Sequence, residues 1–274
     1  MIGGGKIHII AACAILLVVG ACTDALPPQP VKRVEFSKPP SSDLDRVWQN
    51  ALVAIPVRGT TGSLLTTAGN LAEPPQKLAG VGPDTRWPIV VALASCVRPI
   101  DAELMRKIAE QGFVVISPSS SSRYFEPLKC VKAATPAENA ASSIRARKLE
   151  IAYILRQLKT QTWTDNNNLF LIGFQDAAAA VARFTGSVVK ARVLAEWACE
   201  GEGAVKGIAA VEKSPVLAVT STVTPTYGGG CGKYLHVGGG SQILALPQKY
   251  SKNILLEPVI YTQLLKFFDA QIFN

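Results

Sequence analysis

Histidine is almost absent from this chain of 274 residues, which contains only His8 and His236. Imidazole is the commonest metal ligand and the usual general base near neutral pH, so its scarcity narrows the chemistry that the protein can perform. A histidine-rich metal site is excluded, and any nucleophile activated by histidine would have to use one of these two residues. We expect neither a metal nor another cofactor.

Two further kinds of site are missing from the sequence. There is no Cys-x-x-Cys pair and no cysteine–histidine cluster, so the six cysteines do not form a zinc-binding pattern. The chain is basic, with 28 Lys and Arg against 20 Asp and Glu, but no nucleic-acid-binding motif accompanies the charge. We expect no nucleic-acid partner. We interpret the positive charge as that of scattered, solvated lysine and arginine side chains. Attraction to anionic lipid headgroups is the alternative.

Long hydrophobic runs are also missing. The N-terminal run, Ile9–Val19, is too short to span a bilayer comfortably as a helix, and it follows a basic residue, Lys6. It leads into Val19-Gly20-Ala21-Cys22, which resembles the lipobox of bacterial lipoproteins, in which the cysteine is diacylated and becomes the mature N-terminus. An ordinary signal peptide and a single transmembrane helix are the alternatives.

The lipobox resemblance implies a location and a domain plan. Residues 1–21 would be a signal peptide, and a lipid on Cys22 would anchor the mature protein in a membrane of the cell envelope, facing the periplasm or the exterior. Thr23, rather than aspartate, follows the cysteine, which favours the outer membrane if the cell is Gram-negative. Residues 22–45 are rich in proline, serine and charge and predict a flexible tether, which leaves 46–274 as one domain.

Four cysteines lie in the predicted domain, an even number in an exported protein, where thiols are usually oxidised. Three pairings are possible. We predict Cys96–Cys130 and Cys199–Cys231, each of which would close a loop of a few tens of residues.

From Trp87 onward, short apolar runs alternate with helical patterns, which is typical of an α/β domain with parallel βαβ units. The predicted strands are Pro88–Leu93, Phe113–Ile116, Leu169–Ile172, Arg192–Ala198, Val216–Thr220 and Ile243–Leu246. The predicted helices outside the central motif are Asp101–Gln111, Ala137–Gln161 and Pro258–Ile272. Before Trp87, we predict antiparallel edge strands and then a loop: Val47–Val57, Ser63–Thr67 and the loop 74–83.

The central motif is Leu169–Ala182, a buried strand followed by Gly173 and an alanine-rich helix. This is the layout of the nucleophile elbow, in which Gly-x-Ser-x-Gly raises a serine oxygen above the sheet. Here the pattern is Gly173-Phe174-Gln175-Asp176-Ala177. Because a neutral amide has no proton whose loss would leave an attacking oxygen at pH 7, Gln175 cannot replace the serine.

Five stretches, in their order and spacing from Trp87 to the C-terminus, resemble the dienelactone hydrolase-like branch of the α/β-hydrolase superfamily. They are PIVVALASC, AELMRKIAEQGFVVISP, RKLEIAYILRQLKTQTWTDNNNLFLIGF, SPVLAVTSTVTPTYGGGCG and LALPQKYSKN. Cys130 and Cys231 also stand where relatives tend to carry cysteines. The resemblance implies an α/β-hydrolase fold, with a mostly parallel central sheet and helices on both faces.

The resemblance also implies where a catalytic triad would stand, and each position is substituted. Relatives place a serine or cysteine at the elbow, an aspartate after a late strand and a histidine near the C-terminus. The matching positions here are Gln175, Thr224 and the window Pro247–Asn253, with the base position near Ser251 and no histidine in the window. The His-Gly pair that often follows the first central strand is replaced by Ala94-Ser95.

Three other features could carry chemistry, and each has a plainer interpretation. Asp176 stands one residue too late to be an elbow nucleophile. Its charge would oppose a nearby oxyanion, and we expect it to cap the following helix. His236 lies in a glycine-rich loop, matches no family position and is typical of a surface residue. Ser119–Ser122 supply hydroxyls without an evident base.

These observations favour one hypothesis and leave two others open. The first is a lipid-anchored, exported pseudoenzyme that acts as a binding or scaffolding module at the cell envelope, with a small molecule or an envelope protein as its partner. The second is an ester or lactone hydrolase with catalytic residues relocated to Asp176, His236 or Ser119–Ser122. The third is a purely structural envelope protein whose pocket is filled.

Overall fold

The computed structural model describes residues 42–57, 62–71, 75–96, 98–128, 137–197, 199–200, 206–209, 214–222, 230–235, 239–247 and 253–272. Its helices are α1 (Asp43–Gln49), α2 (Pro75–Leu78), α3 (Ala102–Ala109), α4 (Ala137–Lys159), α5 (Asp176–Ala182) and α6 (Pro258–Ile272). Its strands are β1 (Leu52–Pro56), β2 (Ser63–Thr67), β3 (Trp87–Leu93), β4 (Val114–Ser117), β5 (Thr164–Phe174), β6 (Val189–Ala195), β7 (Val216–Ser221) and β8 (Gln242–Leu246).

The strands of the described residues form one sheet in the order β2-β1-β4-β3-β5-β6-β7-β8. β1 pairs antiparallel with β2 and with β4, whereas every pair from β4 to β8 is parallel. In parallel strands the carboxyl ends share one edge, and ligands of open α/β sheets bind in the crevice outside that edge. The residues that follow β3, β5 and β6 are therefore placed together.

Two hydrophobic layers cover the faces of the sheet. On one face, the strands pack against α4 and α5, with Ile151 and Ile154 fully buried. On the other face they pack against α3 and α6, where the rings of Phe170 and Phe268 lie 4.8 Å apart between centroids. Burial on both faces explains why the central strands are apolar along their whole length rather than alternating.

The start of the domain differs from the prediction. The first residues of Val47–Val57 belong to α1, and the strand is confined to β1, which lies between β2 and β4 rather than at an edge. A capping box starts α1, since Asp45 N–H donates to the Ser42 hydroxyl at 3.1 Å and Ser42 N–H donates to the Asp45 carboxylate at 3.2 Å. α1 therefore begins inside the segment predicted as a tether, 22–45, and α2 lies inside the predicted loop 74–83.

The predicted disulfide between Cys199 and Cys231 is confirmed. It joins the segment after β6 to a short 3₁₀ helix, Gly230–Tyr234. The second predicted pair, Cys96–Cys130, involves a residue outside the described ranges and stays a prediction, as does lipidation of Cys22. In the part of the chain that the structure describes, no helix combines the length and apolar character needed to cross a membrane.

Candidate functional site

The turn between β5 and α5 has the strained backbone of an elbow. Gln175 has φ 50° and ψ −118°, a conformation that residues other than glycine rarely adopt, and its N–H donates to the carbonyl of Ala195 at 2.9 Å. Gly173 is required because a Cβ at this position would lie 2.6 Å from the Cα of Ala178. The predicted strand, glycine turn and helix over 169–182 are therefore confirmed.

A buried carboxylate holds the side chain of Gln175. Its Nε2 donates to Oε2 of Glu196 at 2.7 Å. Glu196 directly follows β6, is 4% exposed and also has a positive φ, 57°. The place of the nucleophile is thus taken by an amide that a neighbouring acid fixes in position, and this pair supplies no attacking group of the triad type.

The carboxylate of Asp176 lies beside the end of β3. Its Oδ1 accepts the N–H of Cys96 at 3.0 Å, and its Oδ2 accepts from Nη2 of Arg147 at 3.1 Å. Arg147, on α4, is 1% exposed and also donates to the carbonyl of Ala94 at 2.9 Å. The expectation that Asp176 caps α5 is wrong, because it is the first residue of that helix and its side chain bonds to the β3–α3 loop and to α4 instead.

Three predicted site residues lie outside the described part of the chain: Thr224, Ser251 and His236. Whether they converge on Gln175 stays a prediction. Asn253, the last residue of the window predicted to hold the base, is described. Its Oδ1 accepts the N–H of Leu255 at 3.0 Å, and it lines the same small cavity as Gln175. The end of that window therefore does reach the elbow.

Two adjoining cavities open at the carboxyl ends of the strands. The larger, of about 370 Å³, is lined by serine hydroxyls from Ser95 and the 117–121 segment and by Arg98 and Arg147. The smaller, of about 90 Å³, is lined by Gln175, Glu196 and Asn253 and shares Ser95 and Arg98 with the larger. The larger volume lies within the range of small-molecule sites. Within the ranges given above, no cluster of His, Cys, Asp or Glu is suited to hold a metal ion.

The serine run Ser119–Ser122 lies at the larger cavity, and its contacts are structural. Ser120 donates to the carboxylate of Glu150 at 2.7 Å, and the hydroxyls of the first and last serine lie 2.8 Å apart. Glu150 is itself committed to a buried ion pair with Arg123, at 2.5 Å. These contacts fasten the loop to α4.

Two solved structures share this architecture over most of the chain. A candidate dienelactone hydrolase from Klebsiella pneumoniae matches with a TM-score of 0.51 and 14% identity, over 80% of this chain and 98% of that one. A dienelactone hydrolase-like promiscuous phosphotriesterase from metagenomic libraries matches with a TM-score of 0.51 and 16% identity, over 81% of this chain and 98% of that one. The chain has the α/β-hydrolase fold. No protein-family model and no curated protein matches the sequence.

Within the α/β-hydrolase fold, an oxyanion is normally held by the N–H of the residue after the nucleophile and by an N–H from the loop after β3. In this chain the corresponding residue after position 175 is Asp176, and the loop N–H of Cys96 already donates to its carboxylate. An oxyanion at this place would have to compete with that carboxylate for the N–H of Cys96. The elbow geometry of the fold is therefore present, with a carboxylate bound to the N–H of the loop after β3.

Sequence reasoning missed two residues of this α/β-hydrolase-fold site, Glu196 and Arg147, although each carries a signal. Glu196 is the first polar residue after the buried strand β6, where the carboxyl ends of the strands meet. Arg147 interrupts the apolar face of α4 between Ile144 and Ile151. A charged residue on a buried face requires a partner, but the helical pattern alone does not reveal which one.

Proposed function

We propose that this protein is an α/β-hydrolase-fold pseudoenzyme that binds a small molecule at the cell envelope and does not hydrolyse it. Residues 1–21 direct its export, and a lipid on Cys22 holds it in the membrane. Its relationship to dienelactone hydrolase-like enzymes lies in the fold, and its ester-cleaving chemistry has been lost.

The observation that carries the proposal is the carboxylate of Asp176 bound to the N–H of Cys96, next to an amide at position 175. Loss of a triad nucleophile or base typically lowers kcat by about 10⁶, and an intact oxyanion hole alone retains only about 10³–10⁴ over water. In this chain Gln175 stands at the position of the nucleophile, and the carboxylate of Asp176 occupies a donor of the hole. We therefore expect neither nucleophilic attack nor stabilisation of an oxyanion at this site.

The cavities support a binding role over a purely structural one. A filled pocket would leave no space beside the elbow, whereas Gln175 lines a cavity of about 90 Å³, which adjoins the larger one of about 370 Å³. Its lining combines hydroxyls and arginines with the apolar side chains of Leu52, Ile100 and Leu128. A mixture of apolar walls and a few polar groups is typical of small-molecule sites.

Covalent labelling tests the loss of chemistry. The mature chain, residues 22–274, is incubated with a fluorophosphonate, and its intact mass is measured beside an active serine hydrolase as a positive control. We expect no adduct. A single adduct on one serine, removed by Ser120→Ala or by another substitution in Ser119–Ser122, would establish relocated catalytic machinery and overturn the proposal.

Fatty-acid labelling tests the anchor. The full chain is expressed in a bacterium fed with an alkyne-tagged fatty acid, and the purified protein is examined for the tag. We expect label on the wild type and on Cys13→Ala, which changes a cysteine of the signal peptide, but none on Cys22→Ala. Label that persists in Cys22→Ala, or a mature wild-type chain without lipid, would contradict the predicted anchor.

A further inference from the structure

Gln175 and Glu196 form a strained pair at the small cavity. Among the described residues, positive φ outside glycine occurs at Gln175, Glu196 and Cys199, and the first two are joined by the 2.7 Å hydrogen bond. Backbone strain of this kind costs on the order of 1–3 kcal/mol per residue and clusters at active sites and ligand clamps. The third residue, Cys199, is held by its disulfide. The strain of the first two is thus concentrated where a ligand would contact them.

Glu196 is a buried carboxylate without a cationic partner. Its exposure is 4%, and the salt bridges formed by the described residues do not include it. A carboxylate removed from water needs hydrogen bonds or a cation to offset the loss of hydration. Gln175 provides one hydrogen bond, to Oε2, and within the described ranges nothing donates to Oε1.

The exposed acceptors of this pair match an ammonium group. Because Nε2 of Gln175 is used in the bond to Glu196, its Oε1 remains an acceptor, and the pair carries a net negative charge. Both residues line the small cavity, where Asp101 adds a second carboxylate and Arg98 a single guanidinium. An ammonium group has three donors and a positive charge, and hydrogen bonds between charged groups are about twice as strong as neutral ones. A neutral hydroxyl would satisfy only part of this demand.

The size of the cavities indicates how such a ligand would lie. The small cavity, about 90 Å³, holds a head group rather than a whole small molecule. It adjoins the larger cavity of about 370 Å³, with which it shares the walls formed by Ser95 and Arg98. We therefore expect the rest of the ligand to extend from Glu196 towards the larger cavity.

We propose that the Gln175–Glu196 pair binds the protonated amine of a small organic ligand whose remaining atoms occupy the larger cavity. The inference rests on the proposed binding function and names the chemical class that this function serves. The competing explanation is that Glu196 serves only to fix the elbow, and the experiment below separates the two.

The test compares three probes of similar size and different head group: butylamine, 1-butanol and butyrate. Each is titrated at neutral pH into the isotope-labelled mature chain, and backbone amide shifts are followed by NMR. We expect butylamine to shift the amide signals of Gln175, Glu196 and Asn253 saturably, with little response to the alcohol or to the acid. Equal shifts from butylamine and 1-butanol would overturn the inference, and this comparison needs no variant.

Two variants sharpen the test. Glu196→Gln keeps the size of the side chain and removes its charge, so we expect the affinity for butylamine to fall at least about tenfold. Glu200→Gln is the matched control, because Glu200 is exposed and pairs only distantly with Lys233, at 3.6 Å. Wild-type affinity in a folded Glu196→Gln variant would show that the carboxylate has only a structural role.

The outcomes for the two proposals are distinct. If butyrate or 1-butanol binds at the larger cavity while butylamine does not, the binding function stands and the amine assignment is wrong. If butylamine binds as expected but the mature chain also reacts with the fluorophosphonate, the amine site stands and the absence of catalysis is wrong. If no probe binds, the amine assignment is wrong, whatever the labelling experiment gives.

Discussion

Replacing Asp176 with asparagine tests whether the ion pair with Arg147 holds the site together. Asparagine keeps an oxygen that can accept the N–H of Cys96, so the substitution removes mainly the charge. The guanidinium of Arg147 then retains a single protein acceptor, the carbonyl of Ala94, and its Nε already lacks a partner. A cation that is 1% exposed would be left without a counter-charge.

The magnitude follows from the burial of the pair. The side chains of Arg147 and Asp176 are 2% and 10% exposed, and their closest N–O distance is 3.1 Å. Removing one partner of such a pair costs about 3–5 kcal/mol, because the other charge stays buried. Since asparagine preserves the bond to Cys96, we expect the lower end, about 3 kcal/mol, which is a large share of the roughly 5–15 kcal/mol that stabilises a typical domain.

The assay is urea unfolding of the mature chain, followed by tryptophan fluorescence. Asp176→Asn should lower the free energy of unfolding by about 3 kcal/mol, whereas Glu200→Gln, which alters an exposed pair, should change it very little. A double-mutant cycle with Arg147→Met should give a coupling energy above about 1 kcal/mol. Unchanged stability in Asp176→Asn, or additive effects in the cycle, would refute the reasoning.

Three further substitutions make separate predictions. Burial raises the pKa of Asp43, but hydrogen bonds from three backbone N–H groups at 124–126 outweigh this effect and hold the pKa well below its ordinary value. The ionised carboxylate therefore stabilises the fold above about pH 4, and this stabilisation is lost as the pH falls further. Asp43→Asn should therefore lower the free energy of unfolding by about 1–2 kcal/mol at pH 7. In urea melts, the difference in unfolding free energy between wild type and variant should narrow towards about pH 2. A difference that does not change with pH would contradict this assignment. Arg192 is a fully buried cation whose Nε and Nη1 have no hydrogen-bond partner. Burial lowers its pKa to about 10. Its positive charge therefore destabilises the fold at neutral pH, and this destabilisation decreases as the pH rises through 10. Arg192→Met should leave the urea midpoint unchanged or raise it, and a clear loss of stability would mean that the guanidinium has an unrecognised partner. Gly173→Ala should destabilise the chain by about 1–3 kcal/mol, because the new Cβ would meet the backbone of α5. Gly82→Ala, where the space is open, is the control and should be nearly neutral in the same thermal melt. Equal melting temperatures for the two variants would show that the elbow relaxes to accept the Cβ.

Much of the fold follows from local pattern because its central strands are buried on both faces. The apolar runs locate β3, β4 and β7 to within one or two residues, and Asp101 and Gly112 mark the ends of α3, the first as its N-cap and the second with φ 90°. The start of β5 differs from the predicted strand Leu169–Ile172. The strand begins at Thr164, five residues before the apolar run, because Thr164 still pairs with Trp87 although the intervening residues are polar.

The N-terminal helix escaped prediction for a related reason. Proline and serine dominate the preceding segment and indicate a tether, whereas α1 depends on a capping box between Ser42 and Asp45 and on contacts with distant parts of the chain. One of these is the hydroxyl of Tyr153, on α4, which donates to the carboxylate of Asp45. Composition describes a segment on average and does not register such single contacts.

At the site, sequence reasoning located the turn but not its partners. The glycine, the strand before it and the helix after it identify Gln175 as the residue at the tip, since the elbow is a local structure. The acid that holds Gln175 lies 21 residues away, at the end of β6, and the arginine that pairs with Asp176 lies 29 residues before it, on α4. These contacts depend on which elements lie side by side, which no local pattern determines.

The most direct measurement of the central claim is the turnover of short acyl esters and lactones by the purified mature chain, compared with its Gln175→Ala variant. We expect rates at the buffer background for both proteins, because the amide at the elbow performs no step and the carboxylate of Asp176 occupies a donor that an oxyanion would need. Turnover above background in the wild type would contradict this expectation, and its disappearance in Gln175→Ala would place the activity at the elbow.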